Sequence, residues 1–128
     1  MLRSLLTVAL VLTALATACA KPAPPTSPSS AESAPAPRPV DGKKAKALFA
    51  GGAKLVDVRS PVEFTEKHID GAVNVPLAEV ANTDMGPKDK PVVVYCGSGT
   101  RSAKAAAKLQ AKGYTEVYDL GAMSSWDE

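Results

Sequence analysis

Seven of the chain's eleven prolines fall between Lys21 and Pro39, at positions 22, 24, 25, 28, 35, 37 and 39. Proline fixes φ and has no amide hydrogen, so a stretch this dense in it supports neither a helix nor an inner strand. Between Ala20 and Pro39 the remaining residues are serine, alanine and threonine, with charge only at Lys21, Glu32 and Arg38. Such a segment cannot bury enough apolar surface to offset its ordering entropy. Residues 19–39 therefore read as a tether, and folding is confined to residues 40–128 of the 128, which suffice for one small core. Extended at about 3 Å per residue, the tether would hold that domain several nanometres from its anchoring point.

What precedes the tether is apolar. Arg3 supplies a positive charge, Leu5 to Leu15 is broken only by Thr7 and Thr13, and Ala16-Thr17-Ala18 sets small residues before Cys19. This is the layout of a secretory signal peptide over residues 1–18, with an apolar core shorter than the roughly 20 residues of a membrane span. Cys19 directly after the small residues resembles the lipobox of bacterial lipoproteins, although Ala16 stands where that family commonly has leucine. The resemblance implies lipidation of Cys19 and an exported protein, periplasmic or in the cell envelope, that meets the membrane through its lipid anchor alone. Ordinary cleavage would instead leave Cys19 as an unmodified first residue.

Charge excludes several function classes. The whole chain is formally +2, but residues 40–128 hold twelve Lys/Arg and twelve Asp/Glu, so the foldable part is neutral. No basic face for nucleic acid follows from that balance. Scarce aromatics and the lack of a polybasic run disfavour base stacking and electrostatic membrane docking. With Cys19 assigned to the anchor, Cys96 is the one cysteine of the domain and His68 its one histidine, too few for a cysteine- or histidine-based metal site. No metal or cofactor is expected.

Strand and helix signals alternate along the domain. Lys43–Ala50 reads as a helix closed by Gly51-Gly52, and Lys43, Lys44 and Lys46 mark its solvated face. Leu55–Val58 is a short strand. Ser60-Pro61-Val62-Glu63 is a capping box with proline at the first helical position. Val73–Val75 is another short strand, stopped by Pro76, and Pro91–Tyr95 has the composition of a buried strand. Ser102–Lys112 is a helix ending at Gly113, and Glu116–Leu120 a last strand. This order predicts an α/β fold, a three-layer sandwich whose central, mainly parallel sheet is flanked by helices.

In such a sheet ligands bind beyond the carboxyl ends of the strands, and Cys96 stands there, before the Ser102 helix. Gly97 and Gly99 allow the backbone to turn so that several N–H groups converge on one point, with a helix start behind them. Arg101 adds a positive charge, and the hydroxyls of Ser98 and Thr100 are further candidate donors. A thiol so placed loses its proton readily, which makes Cys96 a candidate nucleophile toward an electrophile that brings or releases negative charge. The plain alternative is a small buried hydrophobe closing a strand.

Three separated blocks carry a resemblance that covers nearly all of the domain. They are Asp57-Val58-Arg59-Ser60-Pro61-Val62-Glu63-Phe64, then His68-Ile69-Asp70-Gly71-Ala72-Val73-Asn74-Val75-Pro76-Leu77, then Tyr95-Cys96-Gly97-Ser98-Gly99-Thr100-Arg101-Ser102. With Gly113-Tyr114, Val117, Leu120 and Trp126, they make residues 40–128 resemble a single-domain rhodanese. The chain departs from the family pattern at Lys67, where a small residue is usual, and at Ala122, where a second glycine is usual.

The resemblance implies a sulfurtransferase. Cys96 would take sulfane sulfur from thiosulfate or a persulfide, hold it as a persulfide, and pass it to cyanide, a small thiol or a partner protein's thiol. Gly97, Ser98, Gly99, Thr100 and Arg101 would bind the anionic donor. Asp57 and Arg59 would form a supporting charge pair, and His68 and Trp126 would be structural. Two other classes stand beside this one. A non-catalytic module would carry the persulfide or bind a partner without turnover. A phosphatase or arsenate reductase would use the same thiol, but related phosphatases place five residues between cysteine and arginine, and this chain has four.

Overall fold

The computed structural model describes residues 36–128. The stretch read as an export signal, Cys19 and most of the residues read as a tether lie outside the described residues. Five strands, β1 (Arg38–Pro39), β2 (Lys54–Asp57), β3 (Val73–Asn74), β4 (Val92–Cys96) and β5 (Val117–Ala122), form one sheet in the order β1-β5-β4-β2-β3. Every pairing is parallel. Helix α1 (Gly42–Ala50) follows β1, α2 (Pro61–Glu66) follows β2 and α3 (Thr100–Ala111) follows β4, with no helix between β3 and β4, and a 3₁₀ helix over Met123–Asp127 follows β5.

β4 is central, and all five of its residues are buried. Its alternating side chains divide the core. Val92, Val94 and Cys96 face a cluster built with Ala105, Ala106 and Leu109 of α3. Val93 and Tyr95 face the other, with Ala45 of α1, Leu55 and Leu120, against which Phe49 and Trp126 pack. Helices thus cover both faces, as the alternation of signals predicts, and each fully buried valine contributes roughly 1.5–3 kcal/mol. The sulfur of Cys96 belongs to the α3 face.

The sheet begins earlier than composition implies. Arg38 and Pro39, assigned to the tether by their surroundings, pair with Tyr118 and Asp119 at the edge of the sheet. An edge strand can contain proline, because one side of its backbone needs no partner. Val40 then donates its N–H to the Asp119 carbonyl at 2.9 Å, and Arg38 bonds Glu116 at 3.0 Å. Arg38 and Pro39 are therefore part of the sheet.

Where α1 starts, Asp41 caps the helix through the Lys44 amide at 2.7 Å. Gly42 follows with the closing 3₁₀ helix pressed against it: a Cβ there would lie 2.1 Å from the Ser125 carbonyl oxygen and 2.7 Å from that of Trp126. Backbone cannot yield as a flexible side chain does. Gly42→Ala should therefore lower stability by about 1–3 kcal/mol, the usual cost of overpacking, although alanine is the better helix former. Thermal unfolding checks this, and an unchanged or higher melting temperature would contradict the close approach.

β5 carries an irregularity that matters for the site. Its register with β4 shifts between Val94 and Tyr95, so that Asp119 faces Val94 but Gly121 faces Tyr95. Gly121 has φ +79° and donates its N–H to the Asp119 carboxylate at 2.8 Å. Ala122, standing where the family has its second glycine, has φ −76° and needs none.

Candidate active site

Cys96 ends β4, Gly97 and Ser98 form an exposed arch, and Gly99 delivers the chain into α3. Gly99 has φ +95°, a conformation open to glycine at little cost, and a Cβ there would sit 3.5 Å from the Cα of Gly121. The two glycines do different work. Gly97 shows no left-handed backbone; the place of its missing side chain lies 3.5 Å from the Arg101 Nη2 and 3.9 Å from the Arg59 Cδ.

The sulfur is fully covered, and the Gly99 N–H donates to it at 2.9 Å. Burial by itself pushes the thiol pKa up, but the backbone N–H groups of Ser102, Ser98 and Gly99, aided by the Ser102 hydroxyl, outweigh it, and the pKa falls below the ordinary cysteine value. These are the free amides of a helix start and the turn before it, which have no carbonyl partners of their own. The Ser102 hydroxyl also donates to the Gly99 carbonyl at 2.9 Å and braces the turn.

Ser102 was not among the sequence candidates. Its signal is arithmetic: it is the third residue of α3, within the turn whose amides point back out of the helix. Ser98 acts through its backbone rather than its hydroxyl, and Thr100, though it opens α3, is exposed. Arg101 lies near enough for the sulfur's negative charge to raise its own pKa, but the larger cause is Glu63. The Arg101 Nη1 and Nη2 donate to Glu63 Oε2 and Oε1 at 2.7 and 2.8 Å.

The capping box predicted at Ser60 explains why Glu63 is there. Ser60 donates its N–H and hydroxyl to Glu63 Oε2 at 3.0 and 2.9 Å and accepts from the Glu63 N–H at 3.3 Å. One carboxylate thus starts α2 and holds the loop arginine. These contacts, Arg101 first, depress its pKa well below the usual carboxylate range.

Asp57 and Arg59 form a buried charge pair. The Arg59 Nε donates to both Asp57 oxygens at 3.0 Å, and its backbone N–H to Oδ1 at 2.9 Å. The guanidinium also reaches the Lys67 carbonyl and lies over the Tyr95 ring, 5.9 Å from its centroid. The backbone, not the side chain, of Lys67 is what this network uses.

His68 stands apart from the thiol. Its ring stacks on Phe64 at 3.9 Å, its Nδ1 lies 2.8 Å from the Phe64 carbonyl, and it borders a cavity of about 590 Å³ with Phe49, Ile69 and Trp126, residues of the α1 side of the sheet. Trp126 packs edge-on against Phe49, their centroids 6.1 Å apart. Among the described residues no three His, Cys, Asp or Glu side chains stand close enough to hold a metal ion, and no helix is long and apolar enough to cross a membrane.

Comparison with known proteins gives consistent matches. The sequence model of the rhodanese-like domain matches residues 41–128. The chain is 43% identical over 76 residues to YqhL of Bacillus subtilis, covering 58% of this chain and 60% of that protein. It is 38% identical over 71 residues to the thiosulfate sulfurtransferase PspE of Escherichia coli K12, covering 53% and 68%. A solved structure described as a rhodanese with anions, from E. coli, superposes with a TM-score of 0.55 at 35% identity, covering 58% of this chain and 91% of that one. The chain spans less than two thirds of YqhL and 19% of the longer MoeZ of Mycobacterium tuberculosis.

Proposed function

Because the chain belongs to the rhodanese-like domain family, we propose that it is a sulfurtransferase that carries sulfane sulfur on Cys96. The observation that carries this reading is the ring of N–H groups that lowers the pKa of a thiol whose burial alone would raise it. The thiolate attacks the outer sulfur of thiosulfate, the S–S bond of the donor breaks, and its electron pair leaves with sulfite. Cys96 is left as a persulfide anion, whose charge the same amides stabilise. Cyanide or a thiol then attacks the terminal sulfur and releases the thiolate, in a two-step exchange with a covalent intermediate.

The name of PspE and the anions in the E. coli rhodanese structure support a negatively charged donor. Four residues between Cys96 and Arg101 suit a single sulfur better than a tetrahedral oxyanion. Thiocyanate formation from thiosulfate and cyanide tests the reading, with parallel double-reciprocal lines expected; turnover of arsenate or an aryl phosphate without any persulfide would overturn it.

The complete burial of Cys96 favours a second reading, a module that holds the persulfide for a partner protein. Persulfide that forms with thiosulfate yet discharges to no small acceptor would mark that case. We also propose that the chain is exported and tethered through a lipid on Cys19. Cys19→Ala should move the protein from the membrane to the soluble fraction, and unchanged membrane association would reject the anchor.

A further inference from the structure

Two arginines flank Gly97, and each is matched by a carboxylate. Arg59 is locked in place: its guanidinium is 7% exposed and its partner Asp57 fully covered. The Arg101–Glu63 pair is different, at 38% and 35% exposed, so of the two pairs it is the one that solvent and a dissolved anion can reach beside the Cys96 loop. Glu63 uses both carboxylate oxygens to occupy both terminal nitrogens of Arg101. Nor is it free to swing away, since Ser60 holds its Oε2 through the backbone N–H and the hydroxyl.

An anion approaching Arg101 therefore meets a guanidinium whose charge is already cancelled, beside a carboxylate pinned by a helix cap. The attraction that remains comes from amide dipoles, which stabilise an anion without adding a full opposite charge. A second negative charge on the donor gains little from such a site, because the guanidinium that would attract it is already paired with Glu63.

From this geometry we propose that Glu63 is a specificity-determining residue: it sets the Cys96 loop to prefer sulfur donors carrying one negative charge over dianions such as thiosulfate. This rests on the sulfur-transfer reading above and deepens it. Both donor classes undergo the same step. Thiosulfate gives the Cys96 persulfide and sulfite, and the monoanion benzenethiosulfonate gives the same persulfide and benzenesulfinate; in each the cleaved S–S bond's electron pair leaves with the oxidised sulfur, so charge and electrons balance.

The test compares kcat/KM for thiosulfate and for benzenethiosulfonate, with cyanide as acceptor, in the wild-type chain and in Glu63→Gln. Glutamine keeps the capping geometry while removing the charge, so the helix start survives. The ratio of the thiosulfate to the benzenethiosulfonate value should rise roughly two- to tenfold, mainly through a lower KM for thiosulfate, and the gain should shrink with added salt. Ser60→Ala removes the hydroxyl from the same cap but keeps the charge, the backbone N–H on Oε2 and both bonds to Arg101, so Glu63 stays in place. This variant should lower the melting temperature and leave the ratio where it was.

An unmoved or lower ratio in Glu63→Gln, an equal loss with both donors, or an equal rise in Ser60→Ala would overturn the assignment. Should Glu63→Gln fail to fold, Arg101→Gln leaves the carboxylate uncancelled and must shift the ratio the other way, against thiosulfate; no shift there overturns it too. A wild-type chain that forms persulfide with neither donor defeats the sulfur-transfer reading, whereas use of both with an insensitive ratio defeats this inference alone.

Discussion

Cys96→Ser is expected to abolish thiocyanate formation, by roughly three orders of magnitude or more, the scale on which enzymes lose rate when a nucleophile is removed. Among the described residues Cys96 is the only cysteine, so no neighbouring thiol can take its place. Serine is nearly the same size, and its hydroxyl can accept the Gly99 N–H that now meets the sulfur. A serine hydroxyl holds its proton far more tightly than a thiol, however, and the amide ring cannot make it a comparable anion. Thiocyanate assay and thermal unfolding of one preparation separate chemistry from folding. Turnover retained at more than a few per cent, with the fold intact, would remove Cys96 from the reaction.

The second large effect concerns stability. Asp57→Ala should destabilise the domain by about 3–5 kcal/mol, because it strands a guanidinium in the interior with only the Lys67 carbonyl and the Tyr95 ring beside it. In a domain this small each kcal/mol is worth about 4–8 °C of melting temperature, so Asp57→Ala should unfold well below the wild-type transition. Replacing both partners, Asp57→Leu with Arg59→Met, should cost less than removing Asp57 alone, since no charge is then left unpaired. Urea unfolding of the two variants decides it. A loss below about 1 kcal/mol in Asp57→Ala would mean that solvent reaches the pair and that its support of the loop is dispensable.

The parts of the molecule that were legible in the sequence are those whose cause is local. Pro91–Tyr95 is apolar and β-branched because β4 is covered on both faces, and the capping box at Ser60 forms as its spacing requires. Cys96 ends β4 at the sheet's carboxyl edge, and the left-handed turn at Gly99 leads from it into α3. What could not be read depends on distance along the chain. Glu63 and Arg101 are 38 residues apart, and nothing in either neighbourhood announces the other. β1 hides in a proline-rich stretch because an edge strand of two residues has no pattern of its own.

The segment from Pro76 to Pro91 likewise carries no period. It is held by remote partners: the buried Tyr114 hydroxyl accepts the Met85 N–H at 2.8 Å and lies 3.2 Å from Asp84 Oδ1, and Lys112 reaches the Val80 carbonyl at 3.2 Å. Gly97 shows the converse error. Its glycine invites a conformational explanation, whereas its backbone is ordinary and the close neighbours of its absent side chain are Arg59 and Arg101.

The proposed reactivity of Cys96 requires amide donors to hold an ionised sulfur inside the fold, and the pH dependence of its alkylation by iodoacetamide, followed by intact mass, measures that directly. Cover by the loop lowers the plateau rate but leaves the midpoint in place, since only the thiolate reacts. The midpoint should fall clearly below the value of about 8.5 for a free cysteine, in the direction the surrounding N–H groups impose. A midpoint at or above that value would mean that burial wins over the amides, and Cys96 would then be a packed thiol rather than a nucleophile.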